Sequence, residues 1–272
     1  MNRRKLMTMG LAGLSASVLS PIAAFAQSRY PDRPIRVIVP FSAGGATDVV
    51  GRLWADRVRG ALGTVVIENK ASGGGALGAS EVARAQPDGY TLLFGNTSTQ
   101  VLLPVLMSPP LYDPLKDFAA VYILCLSPTV IVVHPSVPAR TLAELIAYAK
   151  ANPGRLSYGS AGAGTLTNLA GELFKQLIAA PDIPTAIEAG LPGMVAANLN
   201  GLFVPAGVAP AIVDQIAQAT RKLMADEAFG RLLVASGFEP TAQSGPAQAQ
   251  RLVADELARW TPIMRATNFK ME

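Results

Sequence analysis

The sequence predicts an α/β protein whose core is a parallel, doubly wound sheet. Short apolar runs rich in β-branched residues, at 35–40, 64–69 and 91–95, alternate with helical patterns at 47–61 and 76–86. This βαβαβ order favours parallel strands joined by right-handed crossovers. The chain has 272 residues, of which 50% are hydrophobic and 15% charged. That globular composition suffices for one large domain or two modest lobes.

The first two helices have simple patterns. Between 47 and 61 the apolar residues recur at helical spacing and predict one buried face. That face consists of Val50, Leu53, Trp54, Val58 and Ala61. The second helix is stopped by the turn sequence "PDG" at 87–89.

A second α/β region follows, with a strand at 129–135, a helix at 141–152, a short strand at 156–160 and a helix at 165–177. The apolar run that leads into it is interrupted by the Ser-Pro pair at 127–128. This run therefore predicts two strands rather than a membrane span.

Both helices of this region carry specific signals. Thr141 is the expected N-cap of the first helix, and Glu144 completes a capping box. The second helix has a wide apolar stripe that other elements must cover. The stripe consists of Leu166, Leu169, Ala170, Leu173, Phe174 and Leu177.

The C-terminal part of the chain predicts one extended segment and three helices. The extended segment spans 196–207, and the helices span 210–224, 227–236 and 246–266. The sequence contains no internal repeat, and no low-complexity linker separates its elements.

The N-terminal 26 residues have the parts of a secretory signal peptide. The basic residues 3–5 precede a short apolar stretch, and 24–26 fit a small-x-small cleavage site. We expect cleavage after Ala26 and an exported protein. An uncleaved membrane anchor is the alternative, although the stretch is short for a bilayer span. The pair Arg3-Arg4 would also suit twin-arginine export.

The charge of the chain argues against nucleic acid as a partner. The net charge is +4, but without the three basic residues of the signal 20 basic residues face 19 acidic ones. No basic run remains in the mature part, and sequence-independent binding to nucleic acid needs a basic patch.

Motifs for catalysis or metal binding are lacking in the sequence. The single cysteine, Cys125, lies in an apolar stretch and is expected to be a buried small hydrophobe. The single histidine, His134, is expected to be a rim or packing residue rather than a base. The sequence has no G-x-S-x-G elbow and no cluster with metal spacing. We therefore expect no catalytic residue and no metal.

A dinucleotide cofactor is not expected either. The stretch 73–78 matches G-x-G-x-x-G, but no acidic residue lies near the required spacing of about twenty positions. An exported protein also has little access to dinucleotides. We therefore expect no cofactor.

Four strand-to-helix turns rich in Gly, Ser and Thr form the candidate binding site. They span 40–48, 71–80, 95–100 and 159–165, and each follows a predicted strand. Such turns lie at the carboxyl ends of parallel strands, where ligands bind. Glycines allow close approach of the backbone, and the first N–H groups of the following helix are unpaired. These neutral donors suit a carboxylate, although ordinary βα turns remain the alternative.

The expected contacts come from all four turns. In the first turn, the N–H groups near Gly45 and the Thr47 hydroxyl would hold a carboxylate. Asp48 would contact the ligand or an ordered water beside it. The alternative is that Asp48 only stabilises the start of the helix. The full set of expected ligand-binding residues is Phe41, Ser42, Gly45, Ala46, Thr47, Asp48, Gly74, Gly75, Asn96, Thr97, Ser98, Ser160, Ala161, Gly162, Gly164, Thr165 and Asn168.

Longer motifs point to a family. In order along the chain they include "YPDRPIRVIVPFSAGGATD", "VVIENKASGGGALGA", "PDGYTLLFGNTST", "LSYGSAGAGT", "DIPTAIEAGLPG" and "GLFVPAG". Together with the export signal, these motifs resemble the Bug-type extracytoplasmic solute receptors of tripartite tricarboxylate transporters. The resemblance implies a two-lobed, type II-like periplasmic binding protein that delivers a small carboxylated solute to a membrane permease. It also implies that the first and fourth turns face each other across the cleft.

The sequence departs from this family at one place. After a motif such as "GELFKQL", family members continue for roughly fifty residues, at least one βαβ-sized unit, before "PDIPT". Here only "IAA" stands between the two motifs. We therefore expect a shortened second lobe in which Leu173, Phe174 and Leu177 are partly exposed or repacked. Gln100 and Asn168 also stand where many relatives carry His, and both remain polar.

These expectations divide the chain into a signal peptide, 1–26, a first lobe of 27–125 plus 198–272, and a second lobe, 126–197, shortened after Leu177. The predicted function is a periplasmic receptor without catalysis. One alternative is an exported remnant with impaired or no ligand binding. Another is an exported enzyme acting on a small carboxylate, against which the lack of a base near any candidate nucleophile argues.

Overall fold

A six-stranded sheet is the centre of the computed structural model, which describes residues 30–179, 197–241 and 243–266. The strand order is β2-β1-β3-β5-β4-β6. The strands are β1 (Ile35–Val39), β2 (Val65–Asn69), β3 (Thr91–Asn96), β4 (Phe118–Pro128), β5 (Ala197–Pro205) and β6 (Glu239–Pro240). The predicted signal peptide and the motif at 182–193 lie outside the described residues.

The sheet is mixed, which corrects the expectation of a parallel sheet. β1 pairs in parallel with β2 and β3, as the βαβαβ order predicted. β5 runs antiparallel to β3 and β4, and β6 runs antiparallel to β4. The reason is that the chain leaves β4 and enters β5 at the same edge, because Pro128 pairs with Ala197. No crossover therefore makes these two strands parallel.

Nine helices accompany the strands in the described part of the chain. They are α1 (Ala46–Arg57), α2 (Arg59–Leu62), α3 (Ala76–Ala83), α4 (Leu103–Leu106), α5 (Leu142–Ala151), α6 (Leu166–Ala179), α7 (Pro210–Met224), α8 (Glu227–Ala235) and α9 (Pro246–Ala266). Two further turns are helical, a 3₁₀ turn at Gly73–Gly75 and a π-helical turn at Ser98–Leu102. None of the helices in the described ranges has the length and hydropathy needed to cross a bilayer.

The predicted first helix is interrupted at Val58, which ends α1 and precedes α2. Val50, Trp54 and Val58 are buried as predicted. Leu62, four residues after Val58, is buried in place of Ala61, which is exposed, so the prediction for Ala61 is wrong.

Helices cover both faces of the sheet. On one face, α1, α7 and α8 bury Trp54, Ile216 and Phe229 together with the side chains of β1 that point to that face. On the other face, α3 and α9 pack against Ile38 and the neighbouring strands. Cys125 is buried in the first cluster, as predicted, and burial raises the pKa of its thiol to about 12.

Residues 129–179, here called the helical segment, contain α5 and α6 but no strand. The strands predicted at 129–135 and 156–160 are therefore wrong. Val130, Ile131, Val132 and Val133 are 74%, 56%, 85% and 40% exposed. These residues have strand-forming side chains, but none of the described strands pairs with them, and an isolated strand is not stable.

The helices of this segment begin as predicted. The Thr141 hydroxyl accepts the Glu144 N–H, and the Glu144 carboxylate accepts the Thr141 N–H, so the capping box is confirmed. In the apolar stripe of α6, Leu166 and Leu169 are buried. Leu173 and Phe174 are half-buried, as a shortened lobe would leave them. The side chain of Leu177 lies outside the described set.

Candidate ligand-binding site

The first turn is built around the carboxylate of Asp48, which is 2% exposed. Asp48 Oδ2 accepts hydrogen bonds from the Gly44 N–H and from Arg52 Nε, both at 2.8 Å. Asp48 Oδ1 accepts one from Asn69 Nδ2 at 2.8 Å. Burial alone would raise the pKa of Asp48, but these hydrogen bonds outweigh it and hold the pKa below its ordinary value. In this arrangement Asp48 shapes the turn that follows β1.

A chain of buried polar side chains links the first turn to β3 and β5. Thr47 Oγ1 donates to Asn200 Oδ1 at 3.0 Å and accepts from Asn96 Nδ2 at 3.1 Å. Asn200 Nδ2 in turn donates to Ser127 Oγ at 3.2 Å. The Thr47 hydroxyl, which the sequence predicts as a donor to ligand, is thus paired inside the protein.

The third turn leads from β3 into the π-helical turn. Asn96 Oδ1 accepts the Ser98 N–H at 2.9 Å, and the Thr97 N–H donates to Asn198 Oδ1 at 3.2 Å. Asn96 and Thr97 are buried, so these bonds hold the turn against β5. Their side chains position the backbone around Ser98.

Two contacts bring the sheet against the helical segment. Ser98 Oγ accepts the N–H of Leu166 at 3.1 Å, so the third turn satisfies one of the first N–H groups of α6. A Cβ added to Gly74 would lie 2.4 Å from the Ala163 carbonyl oxygen, and the φ of Gly74 is +64°. Only glycine permits this approach. The second, third and fourth turns therefore meet, and we call their meeting place the junction.

The first turn reaches the junction through Phe41. A Cβ added to Gly75 would lie 3.1 Å from Cζ of Phe41 and 2.9 Å from Cγ2 of Thr99. Residues 42–46 are exposed beside this contact. All four turns that the sequence singled out are thus neighbours in space.

The fourth turn is held by its own side chains. Thr165 Oγ1 donates to the Gly162 carbonyl oxygen at 2.6 Å and accepts the Asn168 N–H at 3.3 Å. Asn168 Oδ1 accepts the Gly164 N–H at 3.1 Å. Ser160 and Ala161 are exposed, at the outer side of the turn.

Backbone N–H groups give the junction its capacity to hold an anion. The first hydrogen bond of α1 runs from the Val49 N–H to the Gly45 carbonyl oxygen at 2.9 Å. The N–H groups of Ala46, Thr47 and Asp48 precede it and have no acceptor within the helix. Gly45 provides no side-chain cap. Such N–H groups carry partial positive charge and bind carboxylate oxygens.

Basic side chains near the turns are paired with acids. Arg52 contacts Asp48, and Lys70 Nζ lies 2.5 Å from Glu81 Oε2. Arg36 also contacts Glu81, at 2.6 Å. In the described ranges, no group of three or more His, Cys, Asp or Glu residues is placed to hold a metal. The donors that the turns offer to a ligand are therefore neutral.

Gln100 is an exception to the pairing seen elsewhere in the turns. It is fully buried in the π-helical turn, and neither Oε1 nor Nε2 has a hydrogen-bond partner among the described residues. Each unpaired buried polar group costs about 1–3 kcal/mol of stability.

Several polar residues of the site were not in the predicted set. Asn69, Ser127, Asn198 and Asn200 support the turns from β2, β4 and β5. The sequence offered one signal for two of them, because "NLN" at 198–200 places two amides inside an otherwise apolar strand. Gln100 carries no such signal apart from its difference from many relatives.

Comparison with models of protein families shows the family to which the chain belongs. Residues 50–179 and 174–269 match the model of the tripartite tricarboxylate transporter family receptor. The chain belongs to this receptor family. The two matched segments overlap at 174–179, a stretch that contains Leu177, after which the sequence predicts a missing unit.

A curated relative of this receptor is longer than the chain. Protein BugT of Bordetella pertussis is 27% identical over 326 aligned positions, which cover 99% of each chain. This receptor has 272 residues, which is 54 fewer than the 326 aligned positions. At least 54 positions of the alignment are therefore gaps in this receptor. This difference is close to the size of the predicted missing unit.

Solved structures share the fold of this tricarboxylate-transporter receptor. Periplasmic binding protein BugD is 26% identical with a TM-score of 0.81, over 89% of this chain and all of that one. MatC of Rhodopseudomonas palustris with bound malate is 27% identical with a TM-score of 0.77, over 86% and 99%. Rpa4515 of R. palustris with adipate is 26% identical with a TM-score of 0.77, over 87% and 97%. The receptor therefore has the α/β fold of periplasmic binding proteins.

Proposed function

We propose that this receptor captures a small carboxylated solute in the periplasm and delivers it, without catalysis, to the permease of a tripartite tricarboxylate transporter. The observation that carries the proposal is the junction, where Gly74 lies against Ala163 and Ser98 pairs with the N–H of Leu166. Membership of a receptor family and the malate and adipate bound by two structural relatives support the ligand class.

The proposed division of the chain follows from the same reasoning. Residues 1–26 are the signal peptide, removed after Ala26. The first lobe comprises 27–125 and 198–272, and the second comprises 126–197. The second lobe lacks a unit after Leu177 that longer relatives have, and the exposed residues of the helical segment support this.

One ligand carboxylate binds at the start of α1 in the proposed complex. The N–H groups of Ala46 and Thr47 donate to it, and Asp48 keeps these groups in place through Gly44 and Arg52. In this proposal the second and fourth turns close around the ligand from the other side of the junction, and the buried side chains of Asn96, Thr97 and Thr165 position the backbone behind them. Because the donors are neutral, no bidentate guanidinium contact is required.

An exported remnant with weak or no binding is the second candidate. It is favoured by the exposure of Val130–Val133 and by the lack of strands among the described residues of the helical segment. In that case the first lobe folds, but the fourth turn is held too loosely to close on a solute.

A thermal-shift screen of di- and tricarboxylates, amino acids and aromatic acids separates the candidates. A true ligand at a hundredfold excess over its Kd stabilises the protein by about 2.7 kcal/mol, which raises the melting temperature. We expect at least one carboxylate to do so and to be recovered unchanged. Conversion of the ligand would indicate an enzyme. An unchanged melting temperature with every compound would favour the remnant without ligand binding.

A glycine variant tests the junction directly. Gly74→Ala should weaken ligand binding at least tenfold, because its Cβ would meet the Ala163 carbonyl oxygen at 2.4 Å. Gly237→Ala is the matched control, since Gly237 has a φ of +85° and no atom within 4 Å of an added Cβ. Both variants should lose about 1–2 kcal/mol through the positive φ. Equal ligand affinity in the two would show that the junction does not clamp the ligand.

A further inference from the structure

The fourth turn has no strand before it in the described structure, so its position depends on side chains. Within the turn, Gly162 and Gly164 have φ values of +117° and +75°. Ala163, whose carbonyl group meets Gly74 at the junction, stands between these two glycines. Glycine is free to adopt other conformations as well. The direction of the Ala163 carbonyl group therefore has to be fixed by hydrogen bonds to the turn.

One peptide group joins the junction to Asn168. The Ala163 carbonyl and the Gly164 N–H belong to the same planar trans peptide, so they point in opposite directions. The carbonyl oxygen lies against Gly74, and the N–H donates to Asn168 Oδ1 at 3.1 Å. The Asn168 side chain in α6 therefore sets the direction in which this carbonyl approaches the second turn.

The amide of Asn168 is oriented in turn by Tyr158. Asn168 Nδ2 donates to the Tyr158 hydroxyl oxygen at 3.0 Å. If the amide were rotated by half a turn, Nδ2 would face the Gly164 N–H, and two donors would meet. The Tyr158 hydroxyl thus favours the one orientation in which Asn168 accepts from the fourth turn.

Glu172 and Gly171 hold Tyr158 against α6. The Tyr158 hydroxyl donates to Glu172 Oε1, which leaves its lone pairs free to accept from Asn168. Lys175 Nζ lies 2.8 Å from Glu172 Oε2, and a charged carboxylate is the stronger acceptor. A Cβ added to Gly171 would overlap the Tyr158 ring, so the missing side chain leaves room for this ring.

We propose that Tyr158, held by Glu172, positions the fourth turn for solute binding through Asn168 and the Ala163–Gly164 peptide. The inference rests on the proposed receptor function and adds two positioning residues, which act without touching the solute. Tyr158 is 45% exposed, and the Glu172 side chain is 31% exposed. Loss of either side chain should therefore change the turn and the ligand affinity, but hardly the global stability.

Tyr158→Phe tests the hydroxyl, because it keeps the ring that lies on Gly171. Titration calorimetry uses malate, adipate and any further acid that the thermal-shift screen identifies as probes. The variant should bind about fivefold more weakly, which corresponds to one hydrogen bond of ordinary strength. Its melting temperature without ligand should stay within about 2 °C of the wild type.

Substitutions of Glu172 test whether it acts through Tyr158. Glu172→Gln keeps an acceptor for the hydroxyl and should bind the probes within about twofold of the wild type, whereas Glu172→Ala should bind about fivefold more weakly. The double variant Tyr158→Phe, Glu172→Ala should also lose about fivefold, because residues of one network do not act additively. A loss of about 25-fold, the product of the two, would show that the residues act independently.

Tyr90→Phe is the matched control, because the Tyr90 hydroxyl makes the same two kinds of hydrogen bond. It donates to Asp32 Oδ1 at 2.6 Å and accepts the Asp32 N–H at 3.0 Å. Tyr90 precedes β3, whose opposite end leads into the third turn. Its loss of a hydroxyl should therefore leave probe affinity unchanged.

Hydrogen exchange of the ligand-free protein measures the turn directly. The Gly164 amide should exchange about fivefold faster in Tyr158→Phe, and the amides of β1 should not change. Unchanged probe affinity in Tyr158→Phe, or an equal loss in Tyr90→Phe, would overturn the positioning role while the receptor function stands. If no acid binds the wild-type protein, the proposed function fails, and the exchange rate of Gly164 still decides whether Tyr158 holds the turn.

Discussion

Two neighbouring stretches with the same apolar, β-branched character have opposite environments. In β4, the residues Val121–Cys125 are all buried. A few residues later, Val130–Val133 form no strand and are 40% to 85% exposed. Local sequence therefore does not explain the difference.

Partner strands explain it. β4 pairs with β5 along most of its length and with β6 at its end. Val130–Val133 have no such partner among the described residues, so their backbone groups and side chains stay in contact with water. Strand propensity mostly measures how well a side chain packs against neighbours, and here the neighbours are absent from the described structure.

The helices also differ in how completely their apolar faces are buried, but the difference is smaller than between the two stretches. In α7 the apolar stripe is covered, with Val213, Ile216 and Ala217 buried against the sheet. In α6, coverage is complete at Leu166 and Leu169, which face the π-helical turn and α9, and partial at Leu173. A helix keeps its internal hydrogen bonds in either case, so α6 persists where the strands do not.

Hydrogen exchange should show the largest difference between the two regions. Amides of β1, β3 and β4 should exchange only on global unfolding, which for a typical domain is about 5–15 kcal/mol. Amides of Val130–Val133 have no acceptor among the described residues and should exchange almost freely. Protection of 130–133 equal to that of β4 would show that these residues have a partner outside the described set.

A matched pair of substitutions should give the next largest effect. Ile123→Ala in β4 removes a fully buried side chain and should cost about 2–5 kcal/mol. Ile131→Ala makes the same chemical change at an exposed position and should alter stability by less than about 0.5 kcal/mol. Urea denaturation of the two variants measures both values, and similar losses would mean that Ile131 is buried in solution.

The smallest expected effect concerns two carboxylates with lowered pKa values, Asp48 in α1 and Glu172 in α6 of the helical segment. Asp48 is held low by Arg52, Gly44 and Asn69 against the effect of burial, and Glu172 by Lys175 and then by Tyr158. A lowered folded-state pKa stabilises the protein above the unfolded value, near pH 4, and this contribution is lost as the pH falls through the folded-state pKa. Asp48→Asn should therefore flatten the loss of stability below pH 4.

The loss of stability should be larger for the Asp48 variant than for the Glu172 variant, because Asp48 is buried and Glu172 is partly exposed. At pH 7, Asp48→Asn should cost about 1–2 kcal/mol, since a buried charge-assisted network is broken. Glu172→Gln should cost only a few tenths of a kcal/mol, because the Glu172 side chain is 31% exposed and its pair is screened. Acid titrations monitored by circular dichroism give both profiles, and a larger effect at Glu172 would reverse this ranking.

The candidate site could be predicted in outline but not in detail. Glycine, serine and threonine after predicted strands identified the four turns, and the structure brings all four together. The sequence could not show that Thr47 pairs with Asn200, because the two residues are 153 positions apart. It also contained no sign that the Gln100 amide is buried without a hydrogen-bond partner among the described residues.

By itself, the sequence determined most of the longer helices, the parallel start of the sheet and the family. Helix patterns, the capping box of Thr141 and Glu144, and the βαβαβ order depend on residues close together in the chain. Only the tertiary structure decided the antiparallel position of β5 and the lack of strands at 129–135 and 156–160. The physical reason is that a helix satisfies its backbone hydrogen bonds within one segment, whereas a strand needs partners that the rest of the chain must supply.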